Sequence, residues 1–307
     1  MKIGILGATS QIAKDLIVSF LTNTENKFHL FARRPDVARN WLNNIGLSGR
    51  YLIDDFSAFG IQEFDAIINF VGVGNPEKVA AMGASIFDVT LKYDELALNY
   101  LRQHPTCRYI FLSSGAAYGS NFDEPVNAKT KAIIDINKLQ PQDWYGVAKL
   151  QAESRHRSLA NLSIVDIRLF NYFSKSQDIE ARFLIADILR AIRDNSSLKV
   201  SSDNNRRDYL HPSDFYQFVY KILAAPKINI ALDCYSKAPI EKFNLLAMMR
   251  EQFGLHYEIS ESNTIVNATG NKPYYYSMNK LAGDFGYLPT LTSTECIINE
   301  TNAILHK

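Results

Sequence analysis

The chain has 307 residues, of which 47% are hydrophobic and 21% are charged, and its formal net charge is +1. This balance is typical of a globular protein with a substantial core, and it excludes the strongly basic surface with which many proteins bind nucleic acid. Because its three cysteines are scattered, its six histidines show no metal-ligand spacing and its apolar runs are short, we expect a cytoplasmic protein that binds no metal, nucleic acid or membrane.

The first half of the sequence alternates short apolar runs with helical patterns. The runs that predict strands are Lys2–Leu6, Phe28–Ala32, Tyr51–Ile53, Ala66–Val71, Tyr109–Ser113 and Ser163–Leu169. The patterns that predict helices are Gln11–Leu21, a stretch around Trp41–Asn44, and longer segments at about Asp88–Leu101 and Tyr145–Leu159. Strands that alternate with helices of this length predict an α/β fold with a doubly wound parallel sheet of the Rossmann type.

The second half is less regular. Helices are predicted at Ile179–Arg193, after Pro212, at Phe243–Phe253 and at Ser293–Leu305, with strands at Leu198–Val200 and Ile230–Tyr235. No Gly/Ser-rich linker separates the two halves. We therefore expect a nucleotide-binding domain over residues 1–170, to which the chain returns at about 208–236. Residues 171–307 would form mainly a smaller α/β lobe that binds the substrate.

A candidate phosphate-binding turn follows the first strand, with the sequence Gly7-Ala8-Thr9-Ser10-Gln11-Ile12-Ala13. A tight glycine turn before a helix lets backbone N–H groups and the helix dipole meet a pyrophosphate. We therefore expect contacts with a dinucleotide at Gly7, Thr9, Ser10, Gln11 and Ile12. The turn resembles the GxxGxxG segment of the short-chain dehydrogenase/reductase family, with Ser10 and Ala13 at the second and third glycine positions. A strand-to-helix turn that binds nothing is the alternative.

The end of the second strand bears on the identity of the cofactor. Arg33 and Arg34 follow that strand directly. An acidic residue there would bind the 2′-hydroxyl of NAD, whereas an arginine accommodates the 2′-phosphate of NADP. We expect NADP(H), with NAD and a solvated arginine pair as alternatives. After the third strand, Asp55 resembles the family's adenine-contacting acidic residue, and Val71 and Gly72 after the fourth are expected to approach the cofactor.

A YxxxK pattern, Tyr145-Gly146-Val147-Ala148-Lys149, supplies the candidate catalytic pair. A spacing of four on a helix places both side chains on one face. A phenol is a poor acid or base at neutral pH, and the ammonium of Lys149 together with a nicotinamide cation would lower the pKa of Tyr145. Lys149 is expected to contact the cofactor as well.

Upstream, the run Ser113-Ser114-Gly115-Ala116-Ala117-Tyr118-Gly119 resembles the SSxxxYG segment of extended members of the family. The resemblance implies that Ser114 is the catalytic serine, whose hydroxyl holds the reacting oxygen of the substrate. We interpret Ser113 as a strand-end cap.

Two later segments extend the resemblance to the NAD-dependent epimerase/dehydratase family and its nucleotide-sugar branch. The run from Arg207 to Asp214 is similar to the RDFVHVDD segment, which implies that Arg207 binds a substrate diphosphate. Asn171 lies in a run similar to RxFNxYG, which implies a contact with phosphate or sugar. The resemblance runs from Lys2 to about Pro289. It implies a nucleotide-sugar substrate and a homodimer, whose apolar face we assign to Ala97, Leu98, Leu101, Leu150 and Leu159.

The residues after Ser114 narrow the chemistry. Sugar 4,6-dehydratases of the family place an Asp-Glu pair there, whereas this chain has Gly115 and Ala116, which cannot transfer protons. Reduction of a ketosugar and epimerisation through a keto intermediate both remain open, since each needs only Ser114, Tyr145, Lys149 and the nicotinamide.

A reductase consumes NADPH, so the arginine pair favours an NADPH-dependent reductase of a nucleotide-activated 4-keto-6-deoxysugar over an NAD-dependent 4-epimerase. The altered glycine turn leaves a non-catalytic NADP-binding regulator as a third hypothesis. The cluster Tyr274-Tyr275-Tyr276 could stack on a nucleotide base or sugar, but we favour a partly buried loop anchor.

Overall fold

The computed structural model describes residues 1–21, 26–72, 76–260 and 272–305. Up to residue 169 its elements are β1 (Lys2–Leu6), α1 (Gln11–Leu21), β2 (Lys27–Phe31), α2 (Pro35–Asn44), β3 (Leu52–Asp54), β4 (Ala66–Asn69), α3 (Pro76–Met82), α4 (Ser85–Gln103), β5 (Arg108–Ser114), α5 (Trp144–Ser158) and β6 (Ser163–Leu169). From residue 171 they are β7 (Asn171–Tyr172), α6 (Leu184–Arg193), β8 (Ser197–Ser201), β9 (Arg206–Arg207), β10 (Tyr209–Leu210), α7 (Pro212–Ala224), β11 (Asn229–Cys234), β12 (Ile240–Glu241), α8 (Lys242–Phe253), β13 (His256–Ser260), β14 (Tyr274–Tyr275) and α9 (Ser293–Leu305).

Seven parallel strands form the central sheet, in the order β11-β6-β5-β4-β1-β2-β3. The strand order reverses at β1, whose neighbours are β2 on one side and β4 on the other. The carboxyl ends of the strands at such a switch point border a crevice in which ligands bind. The predicted doubly wound α/β fold is therefore confirmed.

Helices cover both faces of the sheet, which explains the continuous apolar runs of its strands. Ile3 and Ile5 of β1 belong to the core between the sheet and helices α1 and α7, whereas Leu6 belongs to the core beneath α4 and α5. The alternation follows the two-residue period of a strand. None of the described helices is long and apolar enough to cross a membrane.

The apolar residues of α4 do not form the dimer face that the sequence analysis assigned to them. Ala97, Leu98 and Leu101 are fully buried in the core beneath α4. They stabilise the chain's own fold and cannot supply the apolar face of a dimer. Leu159 packs against the same core. The homodimer itself stays a prediction.

A separate core holds the later part of the chain together, with Leu189 of α6, Leu246 of α8 and Ile297 of α9 among its buried residues. Small sheets flank it: β13 pairs with β8, β10 pairs with β7, and β9 lies between β12 and β14. The strand β11, by contrast, returns to the edge of the central sheet beside β6.

Two predicted boundaries are wrong for identifiable reasons. The fourth strand ends at Asn69, not at Val71, because the Asn69 side chain accepts a hydrogen bond from the N–H of Val71 at 2.9 Å and turns the chain. The helix predicted from Ile179 begins at Leu184. The guanidinium of Arg190 donates hydrogen bonds to the carbonyl groups of Ile179 and Ala181, so the segment before Leu184 is irregular.

Candidate active site

The turn after β1 packs tightly against the end of β4. Gly7 has a φ of +79°, and a Cβ at this position would lie 2.9 Å from the backbone nitrogen of Val71. The N–H groups of Gly7 and Ala8 donate to the carbonyl of Phe31 at 2.9 and 3.1 Å. Glycine is therefore required here both by conformation and by space. A backbone turn at the switch point, followed by the start of α1, fits the pyrophosphate of a dinucleotide.

Two side chains at the start of α1 are engaged within the protein. Ser10 Oγ accepts a hydrogen bond from the backbone N–H three residues later at 3.3 Å, so it caps the helix. Gln11 Nε2 donates to Ser174 Oγ at 3.0 Å. The backbone N–H of Ser10 donates to the Gly7 carbonyl at 3.0 Å, so of these two residues only Gln11 has a backbone N–H left for the predicted phosphate contact. Contacts of Thr9 and Ile12 with a cofactor likewise stay predictions.

Arg33 and Arg34 lie in the loop between β2 and α2, and both are exposed. In the part of the chain that the structure describes, neither guanidinium has a hydrogen-bond or ion-pair partner. Asp55 follows β3, and its carboxylate accepts hydrogen bonds from the Ser57 N–H at 2.7 Å and the Ser57 hydroxyl at 2.5 Å. These bonds lower the pKa of Asp55. The contact of Asp55 with adenine stays a prediction.

The structure brings the three candidate catalytic residues together at the carboxyl end of β5. Ser114 is the last residue of β5, and Tyr145 and Lys149 lie on the first turns of α5. The helix can approach closely because Gly146 has no side chain: a Cβ there would lie 2.5 Å from the carbonyl oxygen of Ala116. Burial raises the pKa of Tyr145, and a hydrogen bond with Ser114 opposes that effect.

Lys149 is buried, with 3% of its surface exposed. Its Nζ donates to the carbonyl of Leu112 at 2.7 Å and lies 5.8 Å from the centroid of the Tyr145 ring. Burial lowers its pKa to about 8, against the opposing charges of Asp94, Glu153 and Asp166. A Cβ on Gly72 would lie 3.4 Å from the same Nζ. The loop predicted to approach the cofactor is therefore adjacent to the candidate catalytic lysine.

A buried ionic network that includes Glu153 lies close to Lys149. Ser113 Oγ donates to Glu153 Oε1 at 2.5 Å, and Arg168 Nε donates to both oxygens of that carboxylate at 3.0 Å. Ser113 is therefore not the strand-end cap that its position suggested. The cap is the candidate catalytic residue Ser114, whose Oγ accepts a hydrogen bond from the Ala116 N–H at 3.2 Å.

The same network continues to a fully buried histidine. His156 contacts Asp166 at 2.6 Å and Asp94 at 2.7 Å. Burial opposes its protonation, but the charges and hydrogen bonds of the two aspartates raise the pKa of His156 to about 9. The network therefore carries a positive charge on His156 at neutral pH, between two carboxylates.

Tyr275, which the sequence places in a loop, contacts the candidate catalytic serine. The hydroxyl of Tyr275 lies 3.2 Å from Ser114 Oγ. The Tyr275 ring packs against Phe122 and Phe170, with centroid distances of 4.8 and 5.2 Å. Tyr275 is partly buried and its neighbour Tyr276 is buried, so the loop-anchor interpretation holds for these two residues, whereas Tyr274 is exposed.

Two cations lie over Tyr275. The Arg207 Cζ is 6.0 Å and the Lys272 Nζ 5.0 Å from its ring centroid. Burial lowers the pKa of Lys272 to about 8, and the positive charge of Arg207 adds to the effect. Among the described residues, no carboxylate lies within ion-pair distance of either cation. Asn171 lies nearby on β7, where its Nδ2 donates to the Asp208 carbonyl at 3.3 Å.

In residues 1–21, 26–72, 76–260 and 272–305, no group of three or more His, Cys, Asp or Glu side chains could hold a metal ion.

The model of the NAD dependent epimerase/dehydratase family matches residues 3–231 of the chain. The chain belongs to this family. The predicted nicotinamide-dependent enzyme of the extended short-chain dehydrogenase type is thereby confirmed at the level of the family. No curated protein matches the chain significantly.

Solved structures of nucleotide-sugar enzymes share the fold. UDP-glucuronic acid 4-epimerase from Bacillus cereus, in complex with UDP-glucuronic acid and NAD, aligns over 100% of this chain and 99% of its own, with a TM-score of 0.79 and 16% identity. UDP-glucose 4-epimerase from Bifidobacterium longum, in complex with NAD⁺ and UDP, aligns over 100% and 98%, with a TM-score of 0.78 and 17% identity. dTDP-glucose 4,6-dehydratase from Bacillus anthracis, in complex with NAD, aligns over 99% and 96%, with a TM-score of 0.77 and 16% identity.

Within this epimerase/dehydratase fold, the sequence motifs identify the residues at the ends of β1 and β5 but not those that arrive from the later part of the chain. Tyr275 belongs to a conspicuous aromatic cluster, yet no spacing links it to Ser114, which lies 161 residues earlier. Lys272 lies in no motif. Its only signal is its position three residues before Tyr275, on the approach to β14.

Proposed function

We propose that the protein is an NADPH-dependent reductase that acts on the keto group of a nucleotide-activated 4-keto-6-deoxysugar. The observation that carries the proposal is the grouping of Ser114, Tyr145 and Lys149 at the carboxyl end of β5, beside the glycine turn of β1. A hydroxyl donor, a phenol and a buried ammonium in this arrangement can hold a carbonyl oxygen and protonate it.

The chain's own residues would perform the following steps. The turn at Gly7 and the first amides of α1 would hold the cofactor's pyrophosphate, and Arg33 and Arg34 its 2′-phosphate. When bound, NADPH would supply the hydride that forms the new C–H bond at the carbonyl carbon. Tyr145 would give its phenolic proton to the carbonyl oxygen, so the C=O group becomes CH–OH.

The remaining catalytic residues would stabilise the charge that this transfer creates. Ser114 would donate a hydrogen bond to the same oxygen while the C=O bond breaks. The ammonium of Lys149 would stabilise the phenolate left on Tyr145 until a proton returns from solvent. Burial without a nicotinamide raises the pKa of Tyr145, so the lowering expected from the sequence would depend on the bound, oxidised cofactor.

Dehydration is disfavoured by the residues after Ser114. Gly115 and Ala116 carry no group that can remove a proton from carbon. The space is closed too, because a Cβ on Gly115 would lie 2.5 Å from ring atoms of Phe170. An acidic side chain could not enter this position without displacing Phe170.

A nucleotide diphosphate on the substrate is supported by the two cations over Tyr275. Two half-buried positive charges side by side repel each other, and a dianionic diphosphate would relieve that repulsion. Arg207 and Lys272 would bind the diphosphate, and Asn171 would contact the phosphate or the sugar.

An NAD-dependent 4-epimerase is the second candidate, since the solved structures of similar fold include 4-epimerases with NAD. The two functions need the same Ser114, Tyr145 and Lys149. They differ in the cofactor, which a reductase draws from the NADPH pool and an epimerase regenerates on the protein. A non-catalytic NADP-binding regulator is the third candidate.

The deciding experiment is fluorescence titration of the purified protein with NADPH and NADH, repeated on the Arg33→Ala/Arg34→Ala double variant. Two lost charge-assisted hydrogen bonds should weaken NADPH binding at least tenfold and leave NADH binding unchanged. Arg50→Ala, at an exposed arginine before β3, is the matched control.

Each outcome assigns the cofactor. A preference for NADPH that is lost in the double variant supports the reductase, which is then assayed with UDP-, GDP-, dTDP- and CDP-linked 4-keto-6-deoxysugars. A preference for NADH, or NAD⁺ that co-purifies and resists dialysis, favours the epimerase. NADPH binding without turnover of any of these sugars favours the non-catalytic NADP-binding regulator, and binding of neither nucleotide contradicts all three candidates.

A further inference from the structure

The contact between Tyr275 and Ser114 gives the active site a second tyrosine hydroxyl. Tyr275 lies on β14, which pairs in parallel with β9 and places Tyr275 beside Arg207. Its ring is fixed from two sides by Phe122 and Phe170. The packing therefore holds the Tyr275 hydroxyl in place, 3.2 Å from Ser114 Oγ.

The number of hydrogen bonds that Ser114 can make determines what the contact with Tyr275 does. A serine hydroxyl has one proton to donate and two lone pairs that accept. One lone pair accepts from the Ala116 N–H at 3.2 Å. When Tyr275 donates to the second, both acceptor sites are filled, and the proton of Ser114 remains for Tyr145 or for the oxygen of a substrate.

The groups around the two tyrosines fit this direction of donation. Burial raises the pKa of Tyr275, so this phenol keeps its proton and can donate. The charged groups that face it are Arg207 from β9 and Lys272 from the segment before β14. Tyr145 is faced by Lys149 from its own helix and by Ser114 from β5.

We propose that Tyr275 is a positioning residue that orients the Ser114 hydroxyl, so that its proton points toward Tyr145 and the reacting oxygen of the substrate. The inference rests on the proposed function, because it assigns a role in that reaction. A chain of hydrogen bonds from Tyr275 through Ser114 to Tyr145 also polarises each bond, which strengthens the donation to a phenolate.

The test is a double-mutant cycle with the best substrate from the panel of nucleotide-linked 4-keto-6-deoxysugars. Tyr275→Phe removes only the hydroxyl and should lower kcat about tenfold, because a Ser114 hydroxyl that is no longer oriented donates a weaker hydrogen bond in the transition state. In a Ser114→Ala background the same change should alter kcat less than twofold, since Tyr275 acts through Ser114. Tyr274→Phe, at an exposed neighbour, is the matched control.

A pH profile separates orientation from a merely structural role. Without Tyr275 the hydrogen bond from Ser114 to the Tyr145 phenolate weakens, so the pKa of Tyr145 rises. The alkaline limb of the kcat profile for reduction should therefore move to higher pH in Tyr275→Phe but not in Tyr274→Phe. NADPH titration and thermal unfolding of each variant check that fold and cofactor site are retained.

The outcomes distinguish this inference from the function on which it rests. No turnover by the wild-type protein with any of the four nucleotide-linked sugars would overturn the proposed function and this inference with it. Turnover by the wild type, with effects of Tyr275→Phe and Ser114→Ala that multiply in the double variant, would overturn the inference alone. An increase in KM with an unchanged pH profile would assign Tyr275 to substrate binding instead, and would also overturn it.

Discussion

Replacement of Lys149 by methionine tests whether the catalytic lysine lowers the stability of the fold. Lys149 is 3% exposed, and burial lowers its pKa from 10.5 to about 8. Methionine has a similar length and carries no charge, so the variant keeps the packing beneath Phe111 and removes the buried ammonium. We expect Lys149→Met to abolish turnover and to make the protein more stable at pH 7.

The magnitude follows from the displaced pKa. The difference between 10.5 and about 8 is 2.5 pH units, which corresponds to about 3 kcal/mol of unfavourable burial at pH 7. Methionine also loses the hydrogen bond from Nζ to the Leu112 carbonyl, at a cost of about 1 kcal/mol. The net gain in the free energy of unfolding should be about 2 kcal/mol at pH 7.

Because burial lowers the pKa of Lys149, its charge destabilises the fold, and the size of this effect depends on pH. Below about pH 8 the lysine is charged in both the folded and the unfolded chain, so its full burial cost is present. Between about pH 8 and 10.5 the folded chain loses the proton while the unfolded chain keeps it, so the cost falls as pH rises. The advantage of Lys149→Met should therefore be mostly gone by about pH 9.5.

Urea unfolding of the apo protein, followed by circular dichroism at pH 7 and pH 9.5, measures both effects. Comparing the variant with the wild type at each pH cancels the other titrating groups. Lys92→Met, at an exposed position of α4, should change stability little at either pH. Equal or lower stability of Lys149→Met at pH 7, or a difference that does not shrink with pH, would refute the reasoning.

Two further changes test the phosphate-binding turn and the cation pair. Gly7→Ala should lose NADPH binding in a fluorescence titration because of its φ of +79° and the 2.9 Å contact with Val71, whereas Gly46→Ala, with a φ of +75° in open space, should bind normally. Normal binding by Gly7→Ala would contradict the role of that turn. Because burial holds the pKa of Lys272 at about 8, the KM for the nucleotide sugar should rise as pH increases through 8, and this rise should be absent in Lys272→Arg. The same KM profile in both proteins would exclude Lys272 from diphosphate binding.

The sheet could be predicted from the sequence because its strands are buried on both faces. Runs such as Ala66–Asn69 are buried at every position and apolar up to the final asparagine, and the helices between them are long enough to show their period. The short strands β7, β9, β10, β12 and β14 have only two residues each and carry no such pattern. They form by pairing with strands that lie distant in the sequence.

The candidate catalytic residues are predicted for a different reason. Tyr145 and Lys149 occur in a YxxxK motif and Ser114 in a segment that resembles one of the family, on elements that adjoin in the fold, and their catalytic role stays a prediction. The groups that set their charges come from elsewhere: Asp94 from α4 and Asp166 from β6 act on the pKa of Lys149. Pairing of such distant residues depends on the packed fold, which no local pattern encodes.

The altered glycine turn is the feature that favours a non-catalytic NADP-binding regulator, and the structure weakens that argument. Only Gly7 has a positive φ among the three glycine positions of the motif, and only there would a Cβ meet the backbone of the neighbouring strand. Ser10 has an ordinary helix-capping role, in which its hydroxyl stabilises α1. Ala13 is fully buried against the sheet, where a small side chain fits and glycine would lower helix stability. Serine and alanine therefore replace glycine at the two positions whose backbone does not need it, and the position that does need it keeps it.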